Sequence, residues 1–301
     1  MIFDQRSVPA ELDGMVAALW YLETPRVRQY EKILPQPLAH FIVNLSAPYR
    51  LFDRDGTATT VSDTFVSGMH TDYLVIEAPR LIRHVGASFT PTGLARRTGR
   101  AASVFTNRVV DARAVFSNVE PLVTGLRDAP TPADALDRLS AFLISGSPTP
   151  ADPIADDAAT ILTERPEVRI RDLVARLGVS HRTAIAHFRA STGLTPKAFA
   201  QLVRFHRFVE AVDSGADSED WAALAAGAGY YDQPHVIRAF RRFTGWTPSE
   251  YRALVAEFGS GEALFVPLDE VPRHERGGSV TRADTPRAAS PPAPRRPDRS
   301  T

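Results

Sequence analysis

Two stretches of this chain carry cations at helical spacing with few acids among them. In SHRTAIAHFRASTGLTPKAF (180–199) they are His181, Arg182, Arg189 and Lys197. In DQPHVIRAFRRFTGWTPSEY (232–251) they are Arg238, Arg241 and Arg242, with His235 close by. A guanidinium donates in a planar fork that matches phosphate oxygens and the major-groove edge of guanine. The chemistry these residues suit is binding of nucleic acid rather than the making or breaking of bonds.

Other chemistry has less support. The chain has no cysteine, which excludes disulfides, thiolate zinc sites and a cysteine nucleophile. Its first half holds three histidines, His40, His70 and His84. None shows the H-x-H spacing or the nearby Glu of a metal-binding barrel strand. No Ser-His-Asp order, phosphate loop or paired-carboxylate motif stands out. The expectation is a protein that is not an enzyme and uses no cofactor and no metal.

Lys+Arg 35 against Asp+Glu 35 leaves no net charge, so the case for nucleic acid is local. Only Lys32 and Lys197 are lysines, a bias toward arginine that fits GC-rich coding and does not hinder DNA binding. The start, MIFDQRSVPAELDG, lacks the cationic segment and apolar run of a secretory signal. No stretch approaches the roughly 18 apolar residues of a membrane span. A cytoplasmic protein with no membrane partner is expected.

The elements that must position these residues follow from pattern. Residues 39–90 read mostly as strands: AHFIVNL (39–45), YRLFD (49–53), TATTVSDTFV (57–66), YLVIE (73–77) and LIRHVGASF (81–89). Arg54-Asp55-Gly56 signals a hairpin between the second and third. Short helices are expected at 93–99, 118–129 and 132–144 from apolar residues at helical period. SGSPTPADP (145–153) is the linker candidate. Residues 154–257 read as helix and tight turn. Beyond Pro272 the chain is dense in Pro, Arg and Ser, and 258–301 is expected to be a largely disordered tail.

The two cationic stretches align at a constant offset of 52 residues. Ser180 matches Asp232, and both suit a helix N-cap. Phe188 matches Phe240, Thr192-Gly193 matches Thr244-Gly245, and Thr195-Pro196 matches Thr247-Pro248. Each copy reads as cap, helix, glycine stop and a Thr-Pro start to the next helix. A short helix precedes each: Ile170, Leu173, Val174 and Leu177 with Gly178 in the first, and Trp221, Leu224 and Ala225 after a Ser218 cap in the second. Each pair is a helix-turn-helix. A plain helical bundle would explain the caps and the apolar spacing. It would not explain cationic outward faces or the repeat. The connector from Pro196 to about Val212 spans roughly 25 Å as helix, which suits reading helices in adjacent major grooves.

Residues 154–257 resemble the DNA-binding domain of AraC/XylS transcription regulators. The resemblance is carried by LVARLGVSHRT…F…TGLTP, RFHR and AGYYDQPHVIRAFRRFTGWTPSEYR. It implies two helix-turn-helix units joined by a long helix and bound to double-stranded promoter DNA. The family's base-reading positions fall on Arg182, Ile185 and Ala186 in the first unit. In the second they fall on Pro234, His235 and Arg238, with Gln233 beside them. His181, Arg189, Lys197, Arg241 and Arg242 are the phosphate candidates. The family usually has Leu where Ala184 and His187 stand, and often Gln and Arg where Ile185 and Ala186 stand. Ile185 and Ala186 offer only apolar contact, for instance to a thymine methyl.

Residues 1–144 resemble, more distantly, an N-terminal domain found in a subset of these regulators. The carrying segments are KILPQPLAHFIVNLS, VSGMH and HVGASFTPTGLARRTG. The resemblance implies a small cupin-like barrel that senses an effector or forms a homodimer, and so alters recruitment of RNA polymerase. Phe41, Phe65 and Phe89 suit either the lining of an effector pocket or an ordinary barrel core. The expected fold class is α+β: a mostly-β barrel or sandwich with helices, then an all-α tandem helix-turn-helix domain. The alternative is a metal- or small-molecule-binding barrel enzyme with a helical appendage.

Overall fold

The computed structural model describes residues 1–53, 56–213, 221–258 and 265–268. Strands dominate the first part: β1 (Ile2–Arg6), β2 (Val16–Pro25), β3 (Tyr30–Ile33), β4 (Ala39–Asn44), β5 (Arg50–Phe52), β6 (Ala58–Thr60), β7 (Thr64–Ser67), β8 (Leu74–Glu77) and β9 (Leu81–Phe89). The short helix α1 (Gly93–Thr98), strand β10 (Val109–Asp111) and helices α2 (Val119–Arg127) and α3 (Pro132–Ile144) follow. The second part holds α4 (Pro153–Glu164), α5 (Ile170–Leu177), α6 (His181–Thr192), α7 (Pro196–Asp213), α8 (Trp221–Gly227), α9 (Gln233–Thr244) and α10 (Pro248–Phe258). A last strand, β11 (Phe265–Leu268), comes after them. The α+β class expected from the sequence is the class observed.

The strands form two antiparallel sheets, ordered β1-β2-β9-β4-β7-β10 and β11-β3-β8-β5-β6. Successive side chains on a strand face opposite ways. On β4 and β9 one set, Phe41, Val43, Val85, Ala87 and Phe89, packs with Leu122, Leu126, Leu136 and Leu139 of α2 and α3. The opposite set contributes Ile82 to a smaller cluster with Tyr49, Ile76 and Ala78, and Leu22 and Leu51 pack against it. That cluster draws on both sheets. Phe41 and Phe89 therefore belong to a core closed by helices, not to a pocket lining.

TATTVSDTFV does not run as one strand. It divides into β6, paired with β5, and β7, paired with β4 in the other sheet. The hairpin pairing Arg50↔Thr60 is present and Gly56 has φ +85°; Arg54 and Asp55 lie outside the described residues. The linker is one residue shorter than expected, because Pro153 opens α4. Asp152 caps that helix, its Oδ1 accepting from the amides of Ile154 at 3.1 Å and Ala155 at 3.2 Å.

Most of the tail expected over 258–301 lies outside the described residues. Its described part is Phe258, which closes α10, and Phe265–Leu268, which departs from the expectation as a strand paired with β3. Polar composition marks a tail, but a free sheet edge can recruit a short FVPL segment whatever surrounds it.

The helical part has its own core around Phe188, Phe199, Phe205, Phe208 and Phe240, and Leu34 and Met69 of the first part join it. Among the described residues no helix is long and apolar enough to cross a membrane.

Candidate nucleic-acid interface

Each of α6 and α9 is set by the local chemistry the repeat predicts. Ser180 Oγ accepts from the amide of Thr183 at 3.1 Å, and Asp232 Oδ1 from that of His235 at 2.8 Å. These caps satisfy amides left open at a helix start. Gly193 and Gly245 end α6 and α9 at φ +86° and +78°, a conformation glycine adopts without Cβ strain. Thr192 and Thr244 behave alike as well: each hydroxyl donates to the carbonyl four residues back, Phe188 and Phe240, at 2.8 Å. Gly178 and Gly229 make the turns inside the two units, at φ +65° and +85°. The Ser218 cap expected for α8 lies outside the described residues.

The inner faces carry the aromatics. Phe188, Phe240, Phe243, Trp246 and Tyr251 are all buried. Phe205 and Phe208 of α7 stack against Phe240 at 5.4 and 5.8 Å between centroids. Helix α7 is thus both the connector and the wall on which the second unit rests. Tyr230 is buried beside Phe208 and His235, whereas Tyr231 is 95% exposed.

The outer faces carry the cations. His181, Arg182, Ala186 and Arg189 are exposed on α6 and Ile185 is half-buried. Pro234, Arg238, Arg241 and Arg242 are exposed on α9 and His235 is half-buried. The side chain of Gln233 lies outside the described residues. Arg182, Arg189, Arg238 and Arg241 have no side-chain hydrogen bond or ion pair among the described residues, so their donors are free for a ligand. Arg242 is partly engaged, with Nη1 donating to Gln201 Oε1 at 3.3 Å.

Two clefts run along these faces. One of about 560 Å³ brings together His181, Arg182, Ile185, Ala186 and Arg189. One of about 160 Å³ brings together His235, Arg238 and Arg242. Lys197, exposed in the first turn of α7, and Arg241 line neither. The structure also adds residues the sequence did not single out. Ala101 and Ser103 of the first part form the far side of the larger cleft, and no local signal could have placed them there. Arg204 and Gln201 line the smaller one. Arg204 lies in the RFHR segment that carries the resemblance, and that segment was the available signal.

The departures at Ala184 and His187 have structural counterparts. Ala184 is buried in the first unit. His187 instead turns toward α4, its Nδ1 2.8 Å from Oδ2 of the capping Asp152. This contact ties α6 to the start of α4.

The His40, His70 and His84 rings sit within the first part. Burial pushes each down from 6.5 to about 4, and the ring of His40 adds to the effect on His70. His70 Nε2 lies 3.0 Å from Ser67 Oγ, and His40 Nδ1 lies 3.1 Å from Ser88 Oγ. Among the described residues no group of three or more His, Asp or Glu side chains is arranged to hold a metal ion.

Residues 173–254 match a family model described as a helix-turn-helix domain. Residues 6–111 match one described as a domain of unknown function, DUF6597. No curated protein matches the chain. Solved structures similar to it include ToxT from Vibrio cholerae O395, at 11% identity and TM-score 0.44, covering 77% of this chain and 97% of that one. ToxT bound to (E)-4-(8-methylnaphthalen-1-yl)but-3-enoic acid is 13% identical at TM-score 0.46, covering 77% of this chain and 98% of that one.

Proposed function

We propose that this chain, a DNA-binding transcription regulator of the AraC/XylS type by its C-terminal helix-turn-helix pair, reads adjacent major grooves of one promoter duplex with α6 and α9. The observation that carries the reading is the repeated geometry. Twice, 52 residues apart, a side-chain-capped helix presents unpaired arginines outward and stops at a left-handed glycine.

In this reading residues 154–257 are the DNA-binding domain and residues 1–144 modulate it. Arg182, Ile185 and Ala186 face base edges in one groove; Gln233, Pro234, His235 and Arg238 face them in the next. His181, Arg189, Lys197, Arg241 and Arg242 meet phosphates, which fix register without reading sequence. The first domain takes a small-molecule effector or a second copy of the chain. The two states it favours differ in how the paired helices sit on DNA, and so in how RNA polymerase is recruited. The protein acts in the cytoplasm by binding, not by catalysis.

The test is fluorescence anisotropy of the full chain on duplexes enriched from a random pool, against scrambled duplexes. Tighter binding to the enriched DNA, falling steeply as salt rises, is the expected result. Equal weak binding to both would overturn the proposal.

A further inference from the structure

The two helix-turn-helix units are joined by a single rod, α7, yet the first domain touches both at the turn that closes the second helix. Thr106 follows the 3-10 turn Ala102–Val104, and its Oγ1 donates to the carbonyl of Gly193 at 2.9 Å. Lys32 lies on β3, and its Nζ donates to the carbonyl of Thr244 at 2.9 Å. Thr192-Gly193 and Thr244-Gly245 are matching positions of the repeat, at the ends of α6 and α9. Thr244 closes α9, and its carbonyl, which lacks a partner within the helix and lies at its negative pole, suits an ammonium; Gly193 follows α6, and its carbonyl takes a hydroxyl.

Both contacts are close-built. Lys32 is 4% exposed, with Nζ 3.5 Å from the Trp246 ring centroid and 4.2 Å from that of Tyr73. A desolvated cation is thereby held between a helix end and two ring faces. Its strand is gripped on both sides, Lys32 pairing with Val75 of β8 and Val266 of β11. At the other contact, a Cβ on Gly193 would fall 2.4 Å from Thr106 Oγ1.

We propose that Thr106 and Lys32 are positioning residues that brace the two reading helices at their matching C-terminal ends and so set the spacing at which they meet DNA. The inference rests on the DNA-reading function proposed above. Two units on one rod can twist about it, and a second pair of ties closes the frame. Lys32 belongs to the five-stranded sheet and Thr106 to the segment after α1. A shift of one relative to the other moves α9 relative to α6, which is a route from the first domain to the DNA.

The experiment uses the full chain with Thr106→Val, Lys32→Met and both together, substitutions that keep the bulk and remove the donors. Duplexes enriched by the wild-type chain are re-made with the gap between their two boxes changed by one base pair. The wild-type chain is expected to bind the altered gaps roughly tenfold more weakly, within the usual range of coupling between sites, and the double variant no more than about threefold more weakly, below that range. An unchanged spacing profile in the double variant would overturn the proposal. Hydrogen exchange without DNA is the second readout. Amides at 192–195 and 244–247 are expected to exchange faster in the corresponding variants, and unchanged exchange at both turns would overturn the brace whatever the DNA result. A wild-type chain that enriches no sequence while exchange does respond would locate the failure in the DNA-reading function and withdraw the spacing role with it.

Discussion

Ala186 of α6 and Arg238 of α9 stand at the same position of the two reading helices, 52 residues apart, and only Arg238 ends in hydrogen-bond donors. Arg182 of the first helix has Pro234 as its counterpart. The two units share a frame and differ in the donors they present outward.

Arg238→Ala should therefore weaken binding to the enriched duplex by ~1–3 kcal/mol and relax base preference in one box only. Arg241→Ala should weaken binding to all sequences alike and reduce the salt slope by about one. Anisotropy titrations over a salt series on matched and single-mismatch duplexes separate the two patterns.

The N-caps should be worth measurable stability. Ser180→Ala and Asp232→Ala each remove a side-chain acceptor from an open amide, at a cost of about 1 kcal/mol. Urea denaturation followed by circular dichroism would show the midpoint shift. Asp232→Asn, which keeps an acceptor, should recover most of it.

Two left-handed glycines should respond unequally to alanine. Gly178 has φ +65°, and a Cβ added there would meet nothing within 4 Å, so Gly178→Ala should cost only the backbone strain of about 1–2 kcal/mol. Gly193 has φ +86°, and a Cβ there would in addition meet Thr106 Oγ1 at 2.4 Å and the Ala102 carbonyl at 3.0 Å. Gly193→Ala should lower the melting temperature further than Gly178→Ala. Equal shifts would mean that the two domains do not hold this contact in solution.

Acidification should destabilise the chain between pH 6.5 and 4. His40, His70 and His84 are pushed down by burial from 6.5 to about 4, so the unfolded chain takes up protons that the folded rings refuse. Their stabilisation is present above 6.5 and lost as pH falls, by up to ~1.4 kcal/mol per pH unit per site. Asp213 acts in the opposite sense, burial raising it from 3.8 to about 6, but it stands against these three and His206, which burial also lowers. Melting temperatures at pH 7, 6 and 5 should fall in that order; a flat or rising series would contradict the burial of the histidines.

The sequence by itself determined the two reading helices: caps at Ser180 and Asp232, stops at Gly193 and Gly245, apolar residues inward and arginines outward. It also marked strands β4, β8 and β9. Such signals act within a few turns or one strand, because capping, left-handed glycine and side-chain period are set by neighbouring residues. Only the tertiary structure decided the rest. Phe41 and Phe89 face α2 and α3 because those helices, far along the chain, cover that side of the sheet. Four residues of the tail became β11 because β3 offered an open edge. Lys32 shows the division most clearly. Its sequence surroundings mark it as one more strand residue, while its burial between Thr244, Trp246 and Tyr73 depends on packing between residues some two hundred positions apart, which no local pattern encodes.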